Sequence, residues 1–192
     1  LLAQGINGSY FLFVGTLEPR KNLTRLLTAY SLLPKAVKLQ TSMVIAGGKG
    51  WGKVNLEDTI ARLDLDEYVK VLGYVDEPTL TALYAHATFL AMPSLYEGFG
   101  LPLVEAMMHG TPVLTANNSS MPEVAGDAGI LVDAQDIDSI RDGLMHLLSD
   151  EVLRNSLGNN AIIQAKKFNW DDSARQLVSA FNDVISRRKN LN

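Results

Sequence analysis

Cysteine is absent from the 192 residues, and with it go disulfides, thiolate metal sites and a cysteine nucleophile. A chain without disulfides fits a reducing cytoplasm. Histidine is nearly as scarce. His86, His109 and His146 stand at no metal-ligand spacing, so zinc is not expected. No apolar run approaches the roughly 20 residues of a membrane span, and no signal-peptide pattern opens the chain. A basic excess is missing too: 17 Lys and Arg against 21 Asp and Glu leave a net charge of −4. That balance argues against nucleic acid, or an anionic membrane, as a partner held by bulk charge. A small anionic ligand gripped by two or three local cations remains open. There is no Gly-x-x-x-x-Gly-Lys-Ser/Thr, and no Gly-x-Gly-x-x-Gly after the first apolar cluster. ATPase and NAD-dehydrogenase readings are weakened accordingly. The chain opens on Leu1 rather than Met and is read as a piece of something longer.

What is present is an ordinary globular composition, 47% apolar and 20% charged, enough for a buried core. Short apolar runs recur at Tyr10–Val14, Met43–Ala46, Val69–Leu72, Thr88–Met92, Pro112–Thr115 and Gly129–Val132. Continuous runs of this kind suit parallel strands covered on both faces. Helical spacing fills the intervals. Asn22 is placed to cap a helix through Leu23, Leu26, Leu27, Tyr30 and Leu33, stopped by Pro34. Asn55 and Asp58 resemble a capping box, Leu80, Leu83 and Tyr84 form a stripe after Asp76, and a helix opened by Pro102 ends near Gly110. Repeated strand-then-helix units predict an α/β fold: a doubly wound parallel sheet of about six strands with helices on both faces. Beyond Asp133 the strands stop. Residues 134–192 are read as a helical extension of one domain covering 1–192, with Asp136 capping the first helix and Arg187-Arg188-Lys189 at the last helix end.

Ligands of open α/β sheets bind beyond the carboxyl ends of the strands, so the strand-to-helix turns carry the interest. In Gly15-Thr-Leu-Glu-Pro-Arg-Lys-Asn22, a glycine lets backbone approach a ligand, and Arg20 and Lys21 stand before a helix start, where anions are favoured. An adjacent Arg-Lys pair beside a turn is equally a common solvated feature. In Glu97-Gly-Phe-Gly-Leu-Pro-Leu-Val-Glu105, Gly98 and Gly100 free the backbone N–H groups, and Pro102 starts a helix whose positive end faces the same space. Carboxylates flanking an anion-binding turn suit a ligand with hydroxyls at both ends and phosphates in the middle. A nucleotide sugar has that layout.

Taken in order, Phe13–Asn22, the Leu72-Gly-Tyr-Val75 turn, the Glu-x7-Glu stretch 97–105, Gly110-Thr-Pro-Val-Leu114 and Pro122-Glu-Val-Ala-Gly-Asp-Ala-Gly129 resemble the C-terminal, donor-binding domain of retaining glycosyltransferases with the two-Rossmann (GT-B) fold. The likeness runs from about Tyr10 to the terminal helices. The resemblance implies that Arg20 and Lys21 hold the donor diphosphate and that Glu105 accepts the ribose hydroxyls. It implies that Glu97 contacts the transferred sugar near the reacting centre, making Glu97, Lys21 and Arg20 the catalytic set. Gly98, Phe99, Gly100 and Leu101 would bind sugar hydroxyls and phosphate oxygens, with Gly15 and Thr16 at the first turn, and Gly73, Tyr74 and Val75 would line the base. Many relatives carry arginine where this chain has Thr16, which makes Arg20 the candidate for the second phosphate.

The resemblance further implies transfer of a hexose with retention of configuration, without metal or other cofactor. GDP-mannose is the first choice of donor; UDP-glucose, UDP-galactose and N-acetylhexosamine donors stay open. A glycan or lipid-linked acceptor would be held by an N-terminal domain not contained in these residues, in a cytoplasmic enzyme that associates peripherally with the inner face of the membrane. The last helix would cross back to that domain, leaving apolar surface exposed here. Two rival readings keep the fold: a nucleotide-sugar-binding module without chemistry, and a sugar-nucleotide epimerase or phosphorylase. For the remaining features the expectations are plain. Asp64-Leu-Asp66 is a solvated turn, Ser119-Ser120 an ordinary loop, and His109 a residue that pairs with Glu105 or serves structure. Phe89 is core, Phe99 belongs to the site, Trp51 covers the site or packs, and Trp170 anchors the last helix.

Overall fold

The computed structural model describes residues 1–48, 50 and 55–189. Six parallel strands form one sheet in the order β3-β2-β1-β4-β5-β6: β1 Ser9–Val14, β2 Thr41–Ala46, β3 Val69–Gly73, β4 Leu90–Met92, β5 Val113–Ala116 and β6 Gly129–Val132. The helices are α1 Leu23–Ser31, α2 Lys35–Gln40, α3 Leu56–Arg62, α4 Glu77–His86, α5 Leu101–Met108, α6 Met121–Ala125, α7 Ile137–Ser149, α8 Glu151–Ala165 and α9 Trp170–Lys189. The doubly wound reading holds.

Successive side chains of β1 go to opposite faces, as strand geometry demands. Tyr10, Leu12 and Val14 join Leu83, Tyr84, Leu103 and Met107 of α4 and α5. Phe11 and Phe13 join Leu23 and Leu26 of α1 and Ile140 and Leu144 of α7. Both faces are covered, so β1 and β2 read as unbroken apolar runs. The edge strands differ: β3 is only half-buried and β6 nearly so, because each lacks a neighbour on one side. Thr88 and Phe89 lie just ahead of β4. They bond to Tyr10 and Leu12 of β1, but β5 begins opposite Leu90, so their other side has no partner. Phe89 is fully buried and stacks on Phe11.

Helix starts follow local chemistry. Asn55, Asp76, Asp136 and Asp150 each accept a backbone N–H of the first turn. Asp64 is exposed in a left-handed turn between α3 and β3, away from the carboxyl ends of the strands, as a solvated turn should be. The short helices α2 and α6, of six and five residues, are too brief to show helical periodicity in the sequence.

Asn22 corrects the sequence reading. It precedes α1, but at φ 60° its side chain makes no cap. Instead its amide donates to the carbonyls of Pro93 (2.8 Å) and Ala134 (2.7 Å), tying the turns after β1, β4 and β6 together in the interior. Gly47 shows how closely these turns pack: a Cβ there would sit 1.9 Å from the Gly15 carbonyl oxygen. Trp170 is a second correction. It is 83% exposed and anchors nothing among the described residues. The helices α7 and α8 share the two cores, through Ile140, Leu144 and Leu147 and through Ala161 and Ala165. By contrast Leu177, Val178, Phe181, Val184 and Ile185 of α9 are exposed, as the expectation of uncovered apolar surface requires. Trp51 lies outside the described residues, as do Lys49, Lys53 and the side chains of Arg187, Arg188 and Lys189.

Replacing Asn22 by Ala leaves two buried carbonyls without donors and puts a Cβ-bearing residue without a polar side chain in the left-handed region. Urea unfolding is expected to show a loss of about 2–4 kcal/mol, with Asn22→Gly recovering about 1 kcal/mol of it. A loss for Asn22→Ala under about 0.5 kcal/mol would contradict the bracing role.

Candidate functional site

The strand order reverses direction between β1 and β4: β2 and β3 lie on one side, β5 and β6 on the other. The turns leaving β1 and β4 must therefore diverge, and the crevice between them is where such sheets bind ligands. One turn is Gly15–Asn22, which closes with a 3-10 turn over Pro19–Lys21. The other is Pro93–Gly100, ending at α5. They are joined directly by the Leu95 N–H, which donates to the Arg20 carbonyl at 2.8 Å.

Glu97 sits at the junction and is buried. Its Oε1 accepts from Lys21 Nζ at 2.7 Å and from the Ser94 hydroxyl at 2.8 Å, and its Oε2 accepts from Arg20 Nη1 at 2.8 Å. The side chains of Lys21 and Glu97 are 8% and 7% exposed, whereas that of Arg20 is 38% exposed. One cation is thus locked inside and the other lies at the surface. Arg20 Nε also reaches Glu18 (2.8 Å), which accepts from the Thr16 hydroxyl (2.9 Å). The two cations and two carboxylates balance within the cluster.

These contacts set the titration. Burial pushes the Glu97 carboxyl up, but the hydrogen bonds from Lys21 and Ser94, the Lys21 charge and Arg20 together outweigh it and hold the group below the usual carboxylate range. Burial pulls Arg20 down, and its bond to Glu97, the charge of Glu97 and the contact with Glu18 more than reverse this. Glu18 is lowered first by the Thr16 hydrogen bond, then by Arg20 and Lys21.

The loop that follows is held from behind. Ser119 Oγ accepts the Glu97 N–H at 3.2 Å, and the Ser120 hydroxyl reaches the carbonyls of Glu97 (3.0 Å) and Phe99 (2.9 Å). The Ser119-Ser120 pair is therefore a brace rather than an ordinary loop, a correction that depends on β4 and β5 being neighbours. Gly100 precedes α5 at φ 100°, a backbone that disfavours any Cβ. No side chain caps α5; Pro102 has no N–H and the Leu103 N–H bonds to the Gly100 carbonyl at 2.9 Å, so of the first three residues only Leu101 offers an N–H toward an anion. Phe99 is partly exposed and meets Phe168 edge-to-face at 5.6 Å.

The structure brings Arg20, Lys21 and Glu97 into direct contact, with Gly15 against the Lys21 side chain and Thr16 bound to Glu18. Gly98, Phe99, Gly100 and Leu101 form the adjoining loop and helix start. Gly73, Tyr74 and Val75 lie at the end of β3; Tyr74 is 85% exposed, and Gly73 is tied to Gly47 by a main-chain bond. Glu105 is exposed on α5, and its partner is the Tyr84 hydroxyl at 2.7 Å. His109 does not pair with it. Its ring stacks on Tyr84 at 6.4 Å, so the structural alternative is the one found. Sequence reasoning missed Ser94, a lone serine with no signal beyond the spacing Ser94-x-x-Glu97, and missed the bracing role of Ser119 and Ser120, whose partners lie 21 to 23 residues away. A cavity of about 680 Å³ opens on the far side of the first turn, lined in part by Glu18, Asn22, Arg25, Asp58 and Arg62, and neither Lys21 nor Glu97 lines it. Among the described residues no group of three or more His, Asp and Glu could hold a metal ion.

Comparison with known proteins bears on this geometry. Residues 5–164 match the family described as glycosyl transferases group 1. The chain is 40% identical over 172 residues to the O-antigen chain mannosyltransferase B of Escherichia coli, covering 90% of this chain and 45% of that protein. Sucrose-phosphate synthase from Thermosynechococcus elongatus superimposes with a TM-score of 0.84 at 24% identity, over 97% of this chain and 48% of that one. Anabaena HepE, in complex with UDP-glucose, does so with a TM-score of 0.82 at 23% identity, over 95% and 50%. The chain thus spans about half the length of these proteins.

The depressed Glu97 carboxyl generates a pH prediction. Its folded-state pKa lies below the unfolded value of about 4.3, so its contribution is complete above that pH and is lost as pH falls through the folded value. At pH 7, Glu97→Gln strands a buried ammonium and should cost about 3 kcal/mol in urea unfolding. The gap to the unsubstituted protein should narrow as pH drops below about 4. A gap that stays constant with pH would refute the assignment.

Proposed function

The chain belongs to the group 1 glycosyl transferases, and we propose that it is the donor-binding part of a retaining enzyme that transfers a hexose from a nucleotide-diphospho sugar to a glycan or lipid-linked acceptor. The observation that carries this reading is the Lys21–Glu97–Arg20 cluster where β1 and β4 diverge. Likeness to a mannosyltransferase acting on O-antigen chains supports mannose as the sugar and GDP-mannose as the donor.

In this reading the ligand lies across the crevice. Its diphosphate meets Arg20, Lys21 and the uncapped start of α5, and its sugar reaches Glu97 and the Gly98–Leu101 backbone. Gly15 and Thr16 border the phosphates, Glu105 takes the ribose hydroxyls, and Gly73, Tyr74 and Val75 line the base. As the bond from anomeric carbon to phosphate breaks, its electron pair stays on the diphosphate and cationic character develops on the sugar ring. The acceptor hydroxyl forms the new bond on the same face and passes its proton to the departing phosphate oxygen. Arg20 and Lys21 neutralise the first charge and Glu97 stabilises the second. Because Glu97 already holds both cations, they are oriented before the donor arrives. Such preorganised charge avoids reorganisation at the moment of reaction. These groups supply the charge stabilisation in the proposed step without a metal.

The acceptor would be held by a part of the protein outside these residues, across a cleft that the exposed face of α9 borders. No helix among the described residues is long and apolar enough to cross a membrane. We place the enzyme in the cytoplasm, at the inner face of the membrane where lipid-linked acceptors are available.

Calorimetry on the 192-residue chain should show binding of GDP in preference to UDP and ADP, with little or no sugar transfer by the isolated chain. Absence of binding to all three nucleotides would defeat the donor-site assignment, and robust transfer would contradict the need for a second domain. In the complete enzyme Lys21→Ala should lower kcat by about 100-fold or more. Near-normal turnover would remove Lys21 from the catalytic set. Binding of the nucleotide sugar with neither transfer nor hydrolysis by the complete protein would favour a binding module instead.

A further inference from the structure

Two of the buried tyrosines spend their hydroxyls on main-chain carbonyls: Tyr10 on Leu83 at 2.8 Å and Tyr30 on Thr41 at 2.9 Å. Tyr84 does otherwise. Its side chain belongs to the core, yet its hydroxyl donates at 2.7 Å to Oε2 of Glu105, a residue exposed on α5. Oε1 of the same carboxylate takes no hydrogen bond from any described residue. The phenol is held at both ends. Its ring stacks on His109 at 6.4 Å with an interplanar angle of 11°, and its main-chain carbonyl accepts the buried Thr111 hydroxyl at 2.7 Å. Burial first, then the Glu105 charge and the hydrogen bond, push its ionisation far above the ordinary range, so it remains a donor at neutral pH.

An exposed glutamate samples many rotamers, and ordering it on binding carries an entropic cost. A fixed donor on one oxygen removes that cost and leaves the other oxygen aimed at a ligand. The placement suits this. Val75 and Leu80 pack against the same core cluster that holds Tyr84 and Val104, and α4 and α5 are in contact. We propose that Tyr84 is a positioning residue that orients Glu105 toward the vicinal hydroxyls of the donor's ribose; this rests on the ribose reading of Glu105 given above. Tyr84 acts through Glu105 and touches no reacting atom.

The test is calorimetric, on the complete enzyme, with GDP and 2′,3′-dideoxy-GDP as probes. The unsubstituted enzyme is expected to prefer GDP by about 10-fold or more, the worth of a hydrogen bond to a charged group. Tyr84→Phe, which removes one oxygen atom and keeps the ring, should lose most of that preference while its affinity for dideoxy-GDP stays unchanged. Adding Glu105→Gln to it should cost nothing further beyond Glu105→Gln alone. Full discrimination in Tyr84→Phe with discrimination abolished in Glu105→Gln would overturn the proposal and leave the ribose reading standing. An equal loss for both nucleotides in Tyr84→Phe would assign Tyr84 a structural role only, which also overturns it. No preference for GDP in the unsubstituted enzyme would instead bring down the ribose reading itself. Glu105→Asp gives a second variant, since it keeps the charge but withdraws it from the phenol. Retained discrimination there would likewise sink the positioning role.

Discussion

Glu97 between Lys21 and Arg20 is the contact on which the rest of this molecule's site depends. It joins residues 76 and 77 positions apart, and it can form only because β1 and β4 are neighbours while their connections run to opposite sides. A buried ion pair is a poor device for stability, since desolvation takes back most of the Coulombic gain. Its value here is orientation. The ammonium of Lys21 is buried against Glu97, and the guanidinium of Arg20 is spread between Glu97 and Glu18 with one edge at the surface.

Around this pair several buried polar groups hold loops, while Thr115 ties β5 to β4 through the Met92 carbonyl at 2.9 Å. The Asn22 amide bridges the turns after β4 and β6. Ser94 takes a share of the Glu97 carboxylate, while Ser119 and Ser120 grip the main chain on either side of it. No buried side-chain polar atom among the described residues is left without a partner. In the proposed reading, side chains held this way are oriented before the donor arrives, the condition under which fixed charges act most strongly on a developing transition state.

The fold was highly legible because its signals are local. All six strands appear where short apolar runs predict them, and the caps at Asn55 and Asp136 follow from neighbouring residues. Legibility failed where the deciding partner was distant. Asn22 has the identity and position of a helix cap, but two carbonyls from remote turns outcompete the first turn of α1 for its side chain. Trp170 looks like an anchor by size alone, yet the described residues provide no surface to receive it.

Contiguous residues were enough for the order of the strands and the longer helices, the turns that carry glycine beside charge, and the family, since periodicity and motif spacing are local properties. They could name Arg20, Lys21, Glu97 and Glu105 as candidates. Their partners came from the fold: Glu97 with both cations at once, Glu105 with Tyr84 rather than His109, and the serines after β5 with the loop after β4. A long polar side chain bonds to whatever the sheet order brings within about 3 Å, and that order is set by pairing among strands far apart in the chain.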